Sequence, residues 1–264
     1  MTTQPQQTAA LLLSARRGPR APLEPLAGGA HPTTLPDGIA AQRALAALLG
    51  ADPPAGFKIG ATAKRMQDYL GLAGPAAGFM QDVNLHASGS TLAFEGFFRP
   101  GVECELAVLL ARDLPPGPCT PDTARDAVEQ IMPAIEIVEN RYADLSRFGA
   151  PAMVADQVFH AAAILGEPYP AWRDLDLRAL RGAISIDGNI RGEGEGRELL
   201  GGPFDALAWL AQSAEAAAFG GLRAGQIVML GSVCPPVWLD GPGRIEVAFP
   251  PLGNARVELA RTAA

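Results

Sequence analysis

The stretch Val102-Glu103-Cys104-Glu105-Leu106 sets two carboxylates one residue apart inside a run, Val102 to Ala111, that otherwise reads as a buried strand. Alternate residues of a strand share a face, so Glu103 and Glu105 stand side by side on one surface. A second apolar run, Ala134-Ile135-Glu136-Ile137-Val138, is interrupted by a third acid. One reading puts the pair on the solvent side of an amphipathic strand, with Cys104 and Leu106 inward. The other gathers all three acids around a cation, because an uncompensated carboxylate in an apolar setting carries a large desolvation cost. Oxygen donors without a His or Cys cluster suit a hard ion, Mg²⁺ or Mn²⁺, over zinc.

Outward from these runs, Thr120-Pro121-Asp122 starts a helix, with Thr as N-cap and Pro at the first helical position. The pattern predicts that this helix reaches about Ile131 and that Pro133 opens the strand carrying Glu136. Ala183 to Ile186 followed by Asp187-Gly188 signals a hairpin. Phe204 to Phe219 reads as one amphipathic helix, and Ile227 to Leu230 as a buried strand. The runs Arg244 to Phe249 and Ala255 to Ala260 form a closing hairpin. Upstream, a helix over about Gln7 to Ala15 stops at Gly18-Pro19, and a second, with Ile39, Leu45, Leu48 and Leu49 at helical spacing, follows Pro36-Asp37-Gly38. Gly56 to Gly60 reads as a short strand and Lys64 to Leu70 as a short helix. The chain thus divides into a small N-terminal α/β domain, residues 1–80, and a larger domain, 81–264. Several hairpins with few helices between them favour an α+β fold over a doubly wound parallel sheet.

With 264 residues, 48% hydrophobic and 19% charged, the chain can bury a substantial core. A net charge of −7 offers no basic field for nucleic acid or an anionic membrane. Three widely separated cysteines, Cys104, Cys119 and Cys234, argue against a disulfide framework and suit a reducing cytoplasm. Leu11-Leu12-Leu13 is too short for a signal core, and no apolar stretch nears the ~20 residues of a membrane span.

Lys58, between Phe57 and Ile59, either snorkels to water or is held near an anion, where it could serve as acid or base. Gly192-Glu193-Gly194-Glu195-Gly196 has the glycines of a phosphate loop, but its glutamates would repel phosphate and it follows a hairpin. A dinucleotide site is therefore set aside. His31, His86 and His160 lack metal-ligand spacing, and Cys234 reads as a small core residue.

Lys58-Ile59-Gly60-Ala61-Thr62, Gly101 to Glu105, Ile135 to Arg141, Ala155-Asp156-Gln157, Ala206 to Ala211 and Gly231-Ser232 stand in an order that resembles the 2-oxopent-4-enoate (2-hydroxypentadienoate) hydratases. Those enzymes, with the related 2-oxo-3-hexenedioate decarboxylases, belong to the fumarylacetoacetate hydrolase superfamily, and the resemblance runs from about residue 40 to 250. It implies a mixed β-roll with a small N-terminal domain, and Mg²⁺ or Mn²⁺ held by Glu103, Glu105 and Glu136. It further implies a catalytic or substrate-positioning Lys58, a small 2-oxo acid substrate and a homo-oligomer. The reaction it implies is hydration of a 2-hydroxydienoate to a 4-hydroxy-2-oxo acid.

Two positions depart from the pattern. Ala76 stands where the hydratases carry an aspartate in Pro-Asp-Phe-Gly, and Gln157-Val158-Phe159 replaces an Asn, a small residue and Ser. His160 is the nearby ionisable group that could take over acid–base work. A decarboxylase or C–C hydrolase on the same metal site is the alternative reading. A non-catalytic ligand-binding or scaffold homologue is the second.

Overall fold

Two β-sheets share one hydrophobic core in the computed structural model, which describes residues 3–18, 21–24, 30–144 and 147–262. In chain order the strands are β1 (Gly56–Gly60), β2 (Ala76–Met80), β3 (Leu85–Ala87), β4 (Ser90–Ala93), β5 (Pro100–Leu110), β6 (Val128–Glu139), β7 (His160–Leu165), β8 (Arg181–Ile186), β9 (Asn189–Glu195), β10 (Ile227–Ser232), β11 (Val237–Trp238), β12 (Gly243–Phe249) and β13 (Gly253–Ala260). The larger sheet runs β2-β1-β10-β5-β6-β7-β3, with β11 added to β5, and the smaller runs β4-β13-β12-β8-β9. Both mix parallel and antiparallel pairs, and the fold is α+β.

The long β5–β6 pair is the spine, and both of its faces are buried. Val102, Cys104, Leu106 and Val108 of β5, with Ile135 and Ile137 of β6, pack in one core with Val247, Phe249, Val257 and Leu259 of the smaller sheet. The opposite face carries Ala107, Met132 and Ala134 against Met80, Ala163 and Met229. Glu103, Glu105 and Glu136 belong to that second face, so the amphipathic-strand reading, with acids turned to solvent, does not describe β5.

Seven helices are described: α1 (Gln4–Arg17), α2 (Leu35–Leu48), α3 (Lys64–Leu70), α4 (Pro121–Ala127), α5 (Gly149–Ala155), α6 (Pro203–Gln212) and α7 (Ala214–Ala218). Thr34 caps α2 by accepting from the Asp37 amide at 3.3 Å, while Asp37 accepts from the Thr34 amide in return. Buried Gln42 then ties α2 to the carbonyls of Ala77 and Val154. Pro19, half of the expected stop after α1, lies outside the described residues. No described helix is long and apolar enough to cross a membrane.

Three boundaries differ from the sequence expectation. The helix expected to reach Ile131 ends at Ala127, because Val128 and Ile131 pair with Leu110 and Val108 of β5; cross-strand packing of branched residues overrides helical periodicity there. Pro133 therefore lies inside β6. It is tolerated because the ladder with β7 begins only at Ala134, and beyond it Pro133 contributes its carbonyl, which accepts from the Gly166 amide at 2.8 Å. The expected helix from Phe204 to Phe219 breaks at Ser213, which is extended and caps α7 by accepting from the Ala216 amide. In addition β1 and β2, grouped by sequence with the N-terminal layer, hydrogen-bond into the larger sheet, with Lys58 opposite Met229 of β10.

Between α5 and β7 the chain makes a turn in which Gln157, Val158 and Phe159 all have positive φ, 59°, 52° and 69°. Such residues cost about 1–3 kcal/mol each and persist only where their surroundings hold them. Here Gln157 donates from Nε2 to the Phe79 carbonyl at 2.7 Å. The turn also lies so close to β2 that a Cβ on Gly78 would sit 2.4 Å from the Gln157 carbonyl oxygen. Gly78→Ala is expected to lower the unfolding free energy by about 2 kcal/mol or more, read from urea denaturation. An unchanged midpoint would contradict this contact.

Candidate metal centre

Antiparallel pairing of β5 and β6 sets Glu103 directly opposite Glu136, and Glu105 lies one pleat along the same face. One carboxylate oxygen from each of the three falls within 4.8 Å of the others. Glu105 and Glu136 are fully buried. Their surroundings satisfy them only in part. Gly231, with φ 102° at a bulge in β10, turns its amide out of the ladder and donates to Glu105 Oε2 at 2.9 Å. Lys58 Nζ lies 3.3 Å from Glu136 Oε1, and His160 Nδ1 lies 2.8 Å from the same oxygen. Glu105 Oε1 and Glu136 Oε2 are buried without a hydrogen-bond partner.

The electrostatics follow from this crowding. Burial, reinforced by the Glu136 charge, pushes the Glu103 carboxyl up to about 8. Burial, then Glu136 and Glu103, push Glu105 well above the carboxylate range. Burial opposes ionisation of Glu136 too, but Lys58 and His160 outweigh it and hold that group at about 2. Burial lowers His160, which is a neutral imidazole at neutral pH, its Nδ1–H facing Glu136. Without a cation the cluster therefore ionises at one carboxylate. A dication lets all three ionise, since three carboxylates, one ammonium and one dication are neutral together. The orphaned oxygens and the all-oxygen donor set fit a hard divalent ion.

A cavity of about 210 Å³ opens beside Glu103, walled by residues 59–63, Met66, Glu198 and residues 232–236. Lys58 lies beneath this wall; its Nζ would be 3.4 Å from a Cβ on Gly60, so the missing side chain leaves it within reach. His160 is fully buried behind Glu136, with Nε2 unpartnered, and is not part of the cavity wall. The two departures noted in sequence meet in space. Ala76 pairs with Gly60 across β1–β2, and Val158 packs with Ala76 in one apolar cluster and against Gly60. The side of the site next to Lys58 is therefore dry.

A buried network escaped the sequence reading. Asp156 accepts from Arg16 Nη2 at 2.6 Å, from Arg141 Nε at 3.0 Å and from the Tyr142 hydroxyl at 3.2 Å, and Arg141 also pairs with Glu139. Arg141 and Arg16 hold the Asp156 carboxyl below its usual range against the effect of burial. Its one sequence signal was the charged run Glu139-Asn140-Arg141 after an apolar strand. The network pins α1 and the end of β6 to the start of the strained turn that leads into His160.

The family model for the C-terminal region of fumarylacetoacetate (FAA) hydrolase matches residues 60–260. The chain is 30% identical over 206 residues to 2-hydroxyhexa-2,4-dienoate hydratase of Comamonas testosteroni, covering 77% of each chain. It is 32% identical over 202 residues to 2-keto-4-pentenoate hydratase of Burkholderia vietnamiensis, covering 76% of each. Among solved structures, 4-oxalocrotonate decarboxylase from Pseudomonas putida G7, complexed with magnesium and adipate, superposes with a TM-score of 0.88 over 97% of both chains at 22% identity. Fumarylpyruvate hydrolase from Pseudomonas aeruginosa, with Mn²⁺ and pyruvate, gives 0.62 at 18% identity over 78% of this chain and 89% of that one. At those identities the two structures establish the shared fold.

The raised carboxyls make stability depend on pH. A group whose folded pKa lies above its unfolded value stabilises most below the unfolded value, and that contribution is lost as pH rises through the folded one. With chelator present, the melting temperature is expected to fall between about pH 5 and pH 8, the window set by Glu103. Glu136, shifted downward, contributes its own change only in more acidic solution. Saturating Mg²⁺ is expected to raise the melting temperature more at about pH 8 than at about pH 5.5, since binding needs the carboxyls ionised. An equal effect of Mg²⁺ at both would contradict this cluster as the site.

Proposed function

The chain belongs to the fumarylacetoacetate hydrolase family, and from that premise we propose that it is a metal-dependent hydro-lyase adding water to a 2-oxoalkenoate to give a 4-hydroxy-2-oxo acid. The observation that carries this reading is the cluster of Glu103 with buried, incompletely partnered Glu105 and Glu136, whose Glu103 lines a cavity sized for a small acid. These three residues would hold Mg²⁺ or Mn²⁺. When bound, the ion supplies Lewis-acid polarisation of the substrate's 2-oxo group and stabilises negative charge there.

The remaining chemistry falls to the chain. Lys58, charged and paired with Glu136, lies under Gly60 and neutralises charge developing on the 2-oxo oxygen or delivers a proton to the dienol. His160 fixes the rotamer of Glu136 through its Nδ1–H and acts by positioning that carboxylate. The apolar walls Ile59, Met66 and Val233 take a hydrocarbon tail and exclude bulk water. One observation favours a second reading. The contact of Ala76 with Val158 removes a water-steering carboxylate beside Lys58, and decarboxylation of a 2-oxo-hexenedioate on the same site would not require one.

With Mg²⁺ and 2-hydroxypenta-2,4-dienoate the protein is expected to consume the dienol absorbance and release a 4-hydroxy-2-oxo acid, identified by NMR. Release of CO₂ from 2-oxo-3-hexenedioate without hydration of the dienoate would replace this reading with the second. Lys58→Met is expected to lower kcat about a hundredfold or more, with folding checked by circular dichroism. Turnover within a few-fold of the wild type would remove Lys58 from the chemistry.

A further inference from the structure

The glycines of the run Gly192 to Gly196 are required by the packing. A Cβ on Gly194 would lie 1.8 Å from the Val233 carbonyl oxygen, and one on Gly192 would lie 2.8 Å from Cys234 Sγ. β9 is thereby pressed onto residues 233–234, which form part of the cavity wall. After β9 the chain makes a single turn of 3-10 helix, Gly196–Glu198. Its backbone is fixed by the Gly196 amide on the Leu180 carbonyl and the Arg197 amide on the Arg178 carbonyl, both at 2.9 Å. This anchoring delivers Glu198 to the same cavity as Glu103.

Adding water across a carbon–carbon double bond needs a group that takes a proton from the water, and the dry face at Ala76 and Val158 does not provide one. His160 sits behind Glu136, and Lys58 is an ammonium paired with that same carboxylate. Within the cavity wall, the Ser232 hydroxyl is committed to backbone, donating to the Cys234 carbonyl at 2.7 Å and accepting from the Cys104 amide at 3.1 Å. The Cys234 thiol is engaged with that of Cys104. Thr62 offers only a weakly basic hydroxyl. Glu198 is exposed to solvent, and no ion pair or side-chain hydrogen bond engages its carboxylate among the described residues.

We propose that Glu198 is the catalytic carboxylate that activates the attacking water, working from the wall of the cavity it shares with Glu103; the assignment rests on the hydratase reading. The substrate enters this step as the 2-oxo-3-enoate. A lone pair of the water oxygen forms the bond to C4, the C3–C4 π pair moves toward the 2-oxo oxygen as an enolate, and Glu198 takes the proton that water loses. The enolate then collapses to the ketone as C3 takes a proton back from the Glu198 acid. The carboxylate is regenerated, and the net change is H and OH added across C3–C4.

The test compares wild type and Glu198→Gln, both with Mg²⁺. It reads formation of the 4-hydroxy-2-oxo acid, solvent deuterium entering C5 as the dienol ketonises, and oxalate affinity by calorimetry. In the variant, hydroxy-acid formation is expected to drop about a hundredfold and the acidic limb of the kcat/KM profile to disappear. Deuterium uptake and oxalate affinity are expected to stay within twofold. A wild type that hydrates beside a variant that hydrates within threefold overturns the assignment alone. So does a variant whose oxalate affinity falls in parallel with its turnover. A wild type that ketonises the dienol but makes no hydroxy acid overturns the hydratase reading, and this assignment with it.

Discussion

Pairing of Glu103 with Glu136 across β5 and β6 is the constraint on which the rest of the site depends. A two-stranded register in the middle of a sheet is among the least adjustable features of a fold, because a slip of one residue would send each side chain to the other face. Here that register forces carboxylates together, two of them fully buried. Lys58 and His160 compensate one of them, and the Gly231 amide partly compensates another. What is left over is two unpartnered oxygens and two carboxyls that burial keeps from ionising, which a single divalent ion would let ionise. The cluster thus carries a cost in the metal-free protein that a bound cation would offset, as is common where stability is set aside for chemistry.

The surroundings keep this arrangement rigid. The Asp156 network joins α1, the end of β6 and the strained turn at Gln157–Phe159, so that His160 enters β7 in a fixed orientation toward Glu136. Val158, carried by the same turn, seals the face beside Lys58 with apolar contacts. One side of the cavity is consequently dry and cationic beneath. Glu198, in the wall of the same cavity, is exposed to solvent. On the proposed reading this contrast would divide the work between charge stabilisation at the 2-oxo end and proton transfer at the alkene end.

Much of this was legible in the chain because it rests on period-two patterns. Glu103 and Glu105 on one face, the short strand bracketed by Gly56 and Gly60, the Asp187-Gly188 hairpin and the closing β12–β13 pair all follow local rules. What the sequence hid is non-local. Whether the Glu103 face is wet or dry depends on Met80, Met132 and Met229 arriving from other strands. The strand at Val128 wins over a helix only because β5 is there to pair with it. Arg16 meets Asp156 across 140 residues, which no spacing rule reaches. The glycines of Gly192 to Gly196, which the sequence reading set aside as a phosphate loop, make room for Cys234, Val233 and Leu177, contacts no spacing rule predicts.

The most direct test of the account is a crystal structure grown with Mn²⁺ and oxalate, with anomalous differences measured at the manganese edge. One strong peak is predicted about 2 Å from carboxylate oxygens of Glu103, Glu105 and Glu136, with oxalate completing the coordination on the cavity side. An anomalous map with no peak in the triad, or with manganese held only elsewhere, would contradict it.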